Sequence, residues 1–264
     1  MSTFQCNICG YYNDLNDAIK HRELFICEGF KSCARFRGVV WAVQRFVLGE
    51  SGVCPSQPLA SEAAHKNIRG IGMSDSDVYA KHLSRIFDYA NTFYDAEPIL
   101  DITDSSSSAK YSDLDFIISS DILEYIFAPV SSALKNIYNS LKPGGYFVVT
   151  APYLEGYETI EHFPHLSNHV IASIGDDYFL INKRLDGFCE TFGNLNFHGG
   201  LGSVLEMRIF GEGDLFSMLR YAGFRSIEEI PPENSVIGYE WADAPEMVLA
   251  KGRLSKSYVI VCKK

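Results

Sequence analysis

The chain has 264 residues, enough for one large core or one domain with a small appendage, and 47% of them are apolar and 13% aromatic, unlike a disordered chain. Lysine and arginine total 23 against 33 acidic residues, a formal charge of −10, which argues against a nucleic-acid backbone or an anionic membrane as the main partner. No stretch approaches the ~20 apolar residues of a membrane span.

Residues 1–50 form the first block. Its start, Met1 to Gly10, is polar and cysteine-bearing and does not read as a signal peptide. Four of the seven cysteines fall before residue 34; an odd count without a signal peptide points to a reducing cytoplasm. Cys6-x2-Cys9 and Cys27-x5-Cys33 have the pairwise spacing of a zinc ribbon, with His21 as a further possible ligand. Lys31, Arg35 and Arg37 make a local basic patch. Val40, Val43, Phe46 and Val47 then share a helical face. Gly49 to Ala64, rich in Ser, Pro and Gly, reads as a linker, so the head ends near residue 50 and a larger domain spans 51–264.

From Asn67 onward, strands alternate with helices. Ile68–Met73 is a strand ending in Gly70-Ile71-Gly72, followed by a helix that Ser74, Asp75 or Ser76 can cap. Asp88–Tyr94 and Pro98–Ile102 are the second and third strands, and Asp115–Ser119 is the fourth. Leu134, Ile137 and Leu141 mark a helix that stops at Lys142-Pro143-Gly144-Gly145. Tyr146–Thr150 is a near-continuous apolar strand, as expected of a sheet covered on both faces. A helix around Leu215–Ala222 precedes two last strands, Phe224–Ile230 and Tyr258–Cys262. The alternation predicts an α/β fold with a doubly wound, mainly parallel, seven-stranded sheet, whose ligand sits beyond the carboxyl ends of the strands. Residues 152–209 show little periodicity and carry His162, His165, His169 and His198. As an insertion after the fifth strand they would overhang that edge, where a substrate lid belongs.

Several residues carry candidate chemistry. Gly70 and Gly72 let a backbone approach a ligand or simply make a tight turn. Asp101 can accept a hydrogen bond from an adenine amino group, or cap the chain before Thr103. Ser119, Ser120 and Asp121 follow the fourth strand, beside a ligand on that edge or as a cap for the next helix. His162 and His198 are candidate general bases; each is otherwise a structural hydrogen-bonder. Glu161 and Glu206 are alternative bases or hydroxyl clamps, and Arg208 can pair with Glu206 or hold an anion.

Phe116-Ile-Ile-Ser-Ser-Asp-Ile-Leu-Glu-Tyr-Ile126 and Leu141-Lys-Pro-Gly-Gly-Tyr-Phe-Val-Val-Thr-Ala-Pro152 resemble the fourth- and fifth-strand motifs of class I S-adenosylmethionine-dependent methyltransferases. The likeness runs from about Ile68 to Cys262. Glu161-His-Phe-Pro164 and Phe197-His-Gly-Gly-Leu-Gly-Ser-Val-Leu-Glu-Met-Arg208 resemble a bacterial subgroup of type 11-like enzymes associated with glycan or surface-polysaccharide genes. The head resembles a degenerate zinc-ribbon element found before some methyltransferases. Aligned on Arg35 and Arg37, its fourth cysteine falls on Phe30. The resemblance implies an S-adenosylmethionine cofactor and a sugar, glycan or other small-molecule acceptor, methylated at oxygen. It implies Gly70, Gly72, Ser74 and Ser119 along the methionine and ribose, Asn91 and Thr92 at the ribose end of the second strand, and Asp101 and Ile102 around adenine. It implies zinc on Cys6, Cys9, Cys27 and Cys33. The first motif departs from the family: the usual acid two before the first glycine is Ile68, and the third glycine is Ser74. The competing reading is therefore a non-catalytic binding or scaffolding protein on the same frame. A nicotinamide enzyme is disfavoured, because no Gly-x-Gly-x-x-Gly follows the first strand.

Overall fold

The structure, a computed structural model, describes residues 3–14, 22–24, 26–51, 54–127, 129–198, 200, 204–241 and 255–264. The head holds a small antiparallel pair, β1 (Thr3–Gln5) and β2 (Tyr12–Asp14), then helix α1 (Ala34–Ala42), which continues as a π-helical turn over Val43–Val47. The segment expected as a linker is packed on this head. Leu59 is fully buried, and the amides of Leu59 and Ala60 donate to the carbonyls of Asn7 and Ile8.

The central sheet follows. Strand β3 (His65–Met73) leads through α2 (Asp77–Ile86) to β4 (Phe87–Thr92); a short helical turn, α3 (Ser105–Ser108), precedes β5 (Leu114–Ser120). Ser76 caps α2, its hydroxyl accepting from the Val78 amide. Helix α4 (Val130–Ser140) then leads to β6 (Leu141–Thr150). The following segment contributes β7 (Tyr153–Leu154), β8 (Ile160–Glu161) and a three-stranded antiparallel sheet of β9 (Asn168–Ile174), β10 (Asp177–Lys183) and β11 (Cys189–Phe192). After them come β12 (Phe197–His198), β13 (Val204–Leu205), β14 (Arg208–Gly211) and α5 (Glu212–Ala222), which ends at Gly223 with φ +125. The last described strands are β15 (Ser226–Ile230), β16 (Glu233–Asn234), β17 (Tyr239–Glu240), β18 (Ser255–Lys256) and β19 (Val259–Lys263).

The main sheet runs β15-β19-β6-β5-β3-β4, with β19 antiparallel to both neighbours and the other pairs parallel. Alternation along β5 puts Phe116 and Ile118 on the face covered by the head, α1 and α2, and Ile117 on the face covered by α4 and α5. Both faces are covered, as the apolar run of β6 predicts. Chain order reverses between β3 and β5, which makes their carboxyl ends the switch point of the sheet.

The expected third strand, Pro98–Ile102, is a correction, and with it the count of seven. It makes one parallel bridge, Phe93 to Ile99, and the main sheet has six strands among the described residues. Pro98 has no amide to donate, so the ladder is limited to Phe93 N on the Pro98 carbonyl and Leu100 N on Phe93. Asp101 then turns the chain away. Among the described residues no helix is long and apolar enough to cross a membrane.

Candidate functional site

The switch-point edge is built from the ends of β3, β4, β5 and β6. Past β3, Ser74 takes a positive φ of 52° and the chain turns inward, burying Asp75. Tyr79 donates to Asp75 Oδ1 at 2.8 Å and Tyr89 to Oδ2. Burial raises the Asp75 carboxyl to about 7 in spite of these two hydroxyl donors. Gly72 makes room for this pair: a Cβ there would collide with the Tyr89 hydroxyl and the Asp75 carboxylate. Gly70 gives the same clearance to the Phe116 ring.

Asn91 clamps the turn, accepting from the Asp75 amide at 2.9 Å and donating to its carbonyl at 2.8 Å. Thr92 donates to the Gly72 carbonyl at 2.8 Å. Asp101 Oδ1 accepts from the Thr103 amide and hydroxyl at 2.8 and 2.7 Å, the arrangement of a capping aspartate. Ile102 is buried in the core against α4 and α5. The polar groups of Asn91 and Thr92 and one oxygen of Asp101 thus make internal bonds.

The end of β5 differs. Ser119 is fully buried and its hydroxyl has no hydrogen-bond partner among the described residues. Glu124, in the 3-10 turn Leu123–Tyr125, is also fully buried, and neither carboxyl oxygen has a partner in another described residue. Between them the head reaches in. Arg22 and Arg35 both engage Asp121 Oδ2, the Arg35 Nε at 3.3 Å, and Arg35 also donates to the Ser120 hydroxyl. Glu23 accepts from Arg35 Nε at 2.6 Å, and Thr150 donates to Asp121 Oδ1 at 2.8 Å. Burial alone would raise the Asp121 carboxyl, but Arg22 and Arg35 outweigh it and hold the group below the usual carboxylate range.

The segment after β6 returns to this edge through short strand pairs. Arg208 lies opposite Glu161 in the β14–β8 register, its Nε 2.7 Å from Glu161 Oε1. Its Nη1 donates to the carbonyls of Leu123 and Ile126, and Met207 N donates to Glu124 O. These bonds tie the insertion to the turn after β5. There Glu206 receives two histidines: His162 Nε2 lies 2.7 Å from Oε1 and His198 Nε2 3.0 Å from Oε2. Burial opposes ionisation of Glu206, yet bonds from His162, Asn196 and His198 hold its carboxyl below the ordinary value. The Tyr125 ring lies 5.5 Å from that of His198. Beside the pair Arg208–Glu161 is a cavity of about 320 Å³, lined also by Thr159, Asp214, Val130 and Met218.

In the head, Cys6, Cys9 and Cys27 converge with sulfurs within 4.8 Å of one another. Two turns build the cluster. In each, the first cysteine amide donates five residues on, Cys6 to Tyr11 and Cys27 to Ser32. Its carbonyl accepts from a residue at positive φ, Gly10 at 81° or Lys31 at 59°. Phe30 therefore holds the place that Cys9 holds in the first turn, and its ring stacks on His82 at 5.2 Å. Cys33 is not in the cluster. As the N-cap residue of α1 it turns toward Glu23, its thiol donating to Oε2 at 3.6 Å. His21 lies outside the described residues, as does Gly199. The three sulfurs fit a tetrahedral thiolate site short of one ligand. Protein purified without chelator should carry about one equivalent of zinc, lost in Cys9→Ser and kept in Cys33→Ser. Elemental analysis giving less than about a tenth of an equivalent in the unaltered chain would leave a metal-free thiol cluster.

Sequence reading singled out His162, His198, Glu161, Glu206 and Arg208, which the fold gathers together. It assigned nothing to Glu124, Arg22 or Tyr89. The available signal was a lone acid inside the apolar run Ile122–Ile126.

No protein-family model matches the chain, and no characterised protein matches it in sequence. Among solved structures it is similar to a 1,6-didemethyltoxoflavin N1-methyltransferase from Burkholderia thailandensis, at 13% identity and a TM-score of 0.42 over 88% of this chain and 78% of that one. An amino pentose methyltransferase from Micromonospora echinaspora gives 11% and 0.41 over 88% and 95%. Streptomyces venezuelae DesVI gives 12% and 0.39 over 77% and 84%. At these identities and TM-scores the likenesses assign neither activity nor substrate.

Proposed function

We propose that the chain is an S-adenosylmethionine-dependent methyltransferase that acts on a sugar, glycan or other small polar acceptor, at oxygen. The observation that carries this reading is the His162–Glu206–His198 cluster, fastened through Met207 and Arg208 to the turn that ends the switch-point strand β5. A base is thereby held beside the edge where ligands of open α/β sheets bind. The motif resemblance of residues 116–126 and 141–152 supports the same reading.

The residues at the end of β5 fit a ligand, since Ser119 and Glu124 leave buried polar atoms without partners. The cofactor would lie along Ser74 and Ser119, with Asn91 and Thr92 at its ribose and Asp101 and Ile102 at its adenine, and it would supply an electrophilic methyl group. The protein's part is positioning and a base. Nε2 of both histidines faces Glu206, and an imidazole that donates there in its neutral form offers Nδ1 as the acceptor. His198, the more exposed of the two, is placed to take the acceptor's hydroxyl proton. Glu161, steered by Arg208, is an alternative base or a clamp for hydroxyls. The Cys6, Cys9 and Cys27 thiols would hold zinc and keep the head folded.

A second reading, a binding protein without catalysis, is favoured by the space beside Gly72 being filled by Asp75 and Tyr89, and by Arg35 occupying Ser120. Calorimetric titration separates the two. Binding of S-adenosylmethionine or S-adenosylhomocysteine with a Kd below about 1 mM supports the enzyme. Absence of heat for both at millimolar ligand supports the binding protein.

A further inference from the structure

We propose that Glu124 is the residue that reads the positive charge of the methyl donor, its buried carboxyl, without a partner residue, complementing the donor's sulfonium. The inference rests on the methyltransferase reading. Its ground is an imbalance in the side chains around the end of β5. Three carboxyl groups approach one another there. Asp121 is met by Arg22 and Arg35, and Glu206 by His162 and His198. Glu124 stands between them, its charge interacting with both, and neither of its oxygens has a partner among the described residues.

A fully buried carboxyl left unsatisfied is costly, and cores seldom keep one without a use. The nearby arginines are engaged elsewhere, Arg22 and Arg35 with Asp121 and Glu23 and Arg208 with Glu161, and no ion pair to Glu124 is present among the described residues. What complements Glu124 is therefore a cation brought from outside. The Ser119 hydroxyl, also buried and unpartnered, marks the same end of the strand.

The groups facing Glu124 are Asp121 and Arg22 at the head contact, Tyr125 on its own turn and Glu206 from the insertion. Burial first, then Asp121 and Glu206, push its carboxyl well above the ordinary range, while its own backbone amide and then Arg22 pull the other way. The direction of this shift favours the protonated form in the free protein. A cation arriving beside the group favours the carboxylate and releases that proton, so affinity for the cationic ligand rises with pH until the raised pKa is passed.

S-adenosylmethionine and S-adenosylhomocysteine share every titrating group and differ in the sulfonium charge. The ratio of their affinities isolates the effect. In the full chain, calorimetry from about pH 6 to about pH 8 should show this ratio moving at least about tenfold toward S-adenosylmethionine. In Glu124→Gln the ratio should be flat. Glutamine closely matches a protonated glutamate, so the melting temperature should hold. If Glu124→Gln fails to fold, Asp75→Asn serves in its place: it removes another buried acid near this edge, and the slope must survive it. A flat ratio in the unaltered chain, an undiminished slope in Glu124→Gln, or a slope lost in Asp75→Asn overturns the assignment and leaves the methyltransferase reading standing. Failure of both ligands to bind the unaltered chain removes that reading, and the role of Glu124 with it.

Discussion

Replacing Asp121 with asparagine should lower the unfolding free energy at neutral pH by about 2–4 kcal/mol, toward the cost of breaking a buried ion pair from one side. Asp121 is 19% exposed, Arg22 8% and Arg35 13%, so solvent screening relieves little of the loss. Asparagine preserves what is not electrostatic. It tolerates the positive φ of 56° at this position, where alanine would add strain, and it can still accept from Thr150. The folded carboxyl titrates below its unfolded value of about 3.9. Its stabilisation is therefore fully present above that value and is lost as pH falls through the depressed folded pKa. Urea unfolding of both proteins should show a gap that is constant near neutrality and narrows in acid. A difference within about 0.5 kcal/mol at neutral pH would show that Glu23 alone suffices to neutralise the two arginines, and that Asp121 does not bind the head to the sheet.

That contact shows where sequence reading stops. Asp121 reads locally as a helix cap, and its actual partner Arg22 is 99 residues away. Local pattern does find what local physics decides. The alternation Phe116, Ile117, Ile118 sets the two faces of β5, Ser76 caps α2, and Gly223 ends α5. Pro98 marks the place where the pattern misleads: a run that is apolar enough for a strand lacks the amide to extend one. The glycines are subtler. Gly70 and Gly72 stand where a cofactor turn belongs, but the atoms that their missing Cβ admits are Phe116, Tyr89 and Asp75, from this chain. In the head, spacing alone pairs Cys27 with Cys33. The repeated turn puts Phe30 at the fourth corner, where alignment on Arg35 and Arg37 also places it.

The convergence of His162, His198 and Glu206 is the long-range feature with the largest expected effect. The two histidines can be singled out in the sequence, but that both reach one carboxylate depends on the register of β14 with β8 and on the pairing of His198 with Val204 in the β12–β13 turn. A base oriented by a carboxylate on its far nitrogen is the arrangement that suits proton removal from a hydroxyl, because the carboxylate fixes the tautomer and stabilises the imidazolium that forms. His198→Ala should lower turnover by about 10²–10⁴ with nearly unchanged S-adenosylmethionine affinity. His162→Ala should have the smaller effect, since its ring is 29% exposed against 49% for His198. Glu206→Gln tests the orientation. It leaves both rings in place, keeps one acceptor oxygen, turns the other into a donor and removes the charge that stabilises an imidazolium, so turnover should fall nearly as far as in His198→Ala without loss of fold. The check is a methyl-transfer assay against a panel of sugars and small hydroxylated acceptors, with cofactor affinity measured on each variant. If both histidine variants keep turnover within a few-fold of the unaltered chain, the cluster does not supply the base. Glu161, presented by Arg208 across the β8–β14 pair, is then the next proton acceptor to test, with Asp214 the other carboxylate lining the cavity.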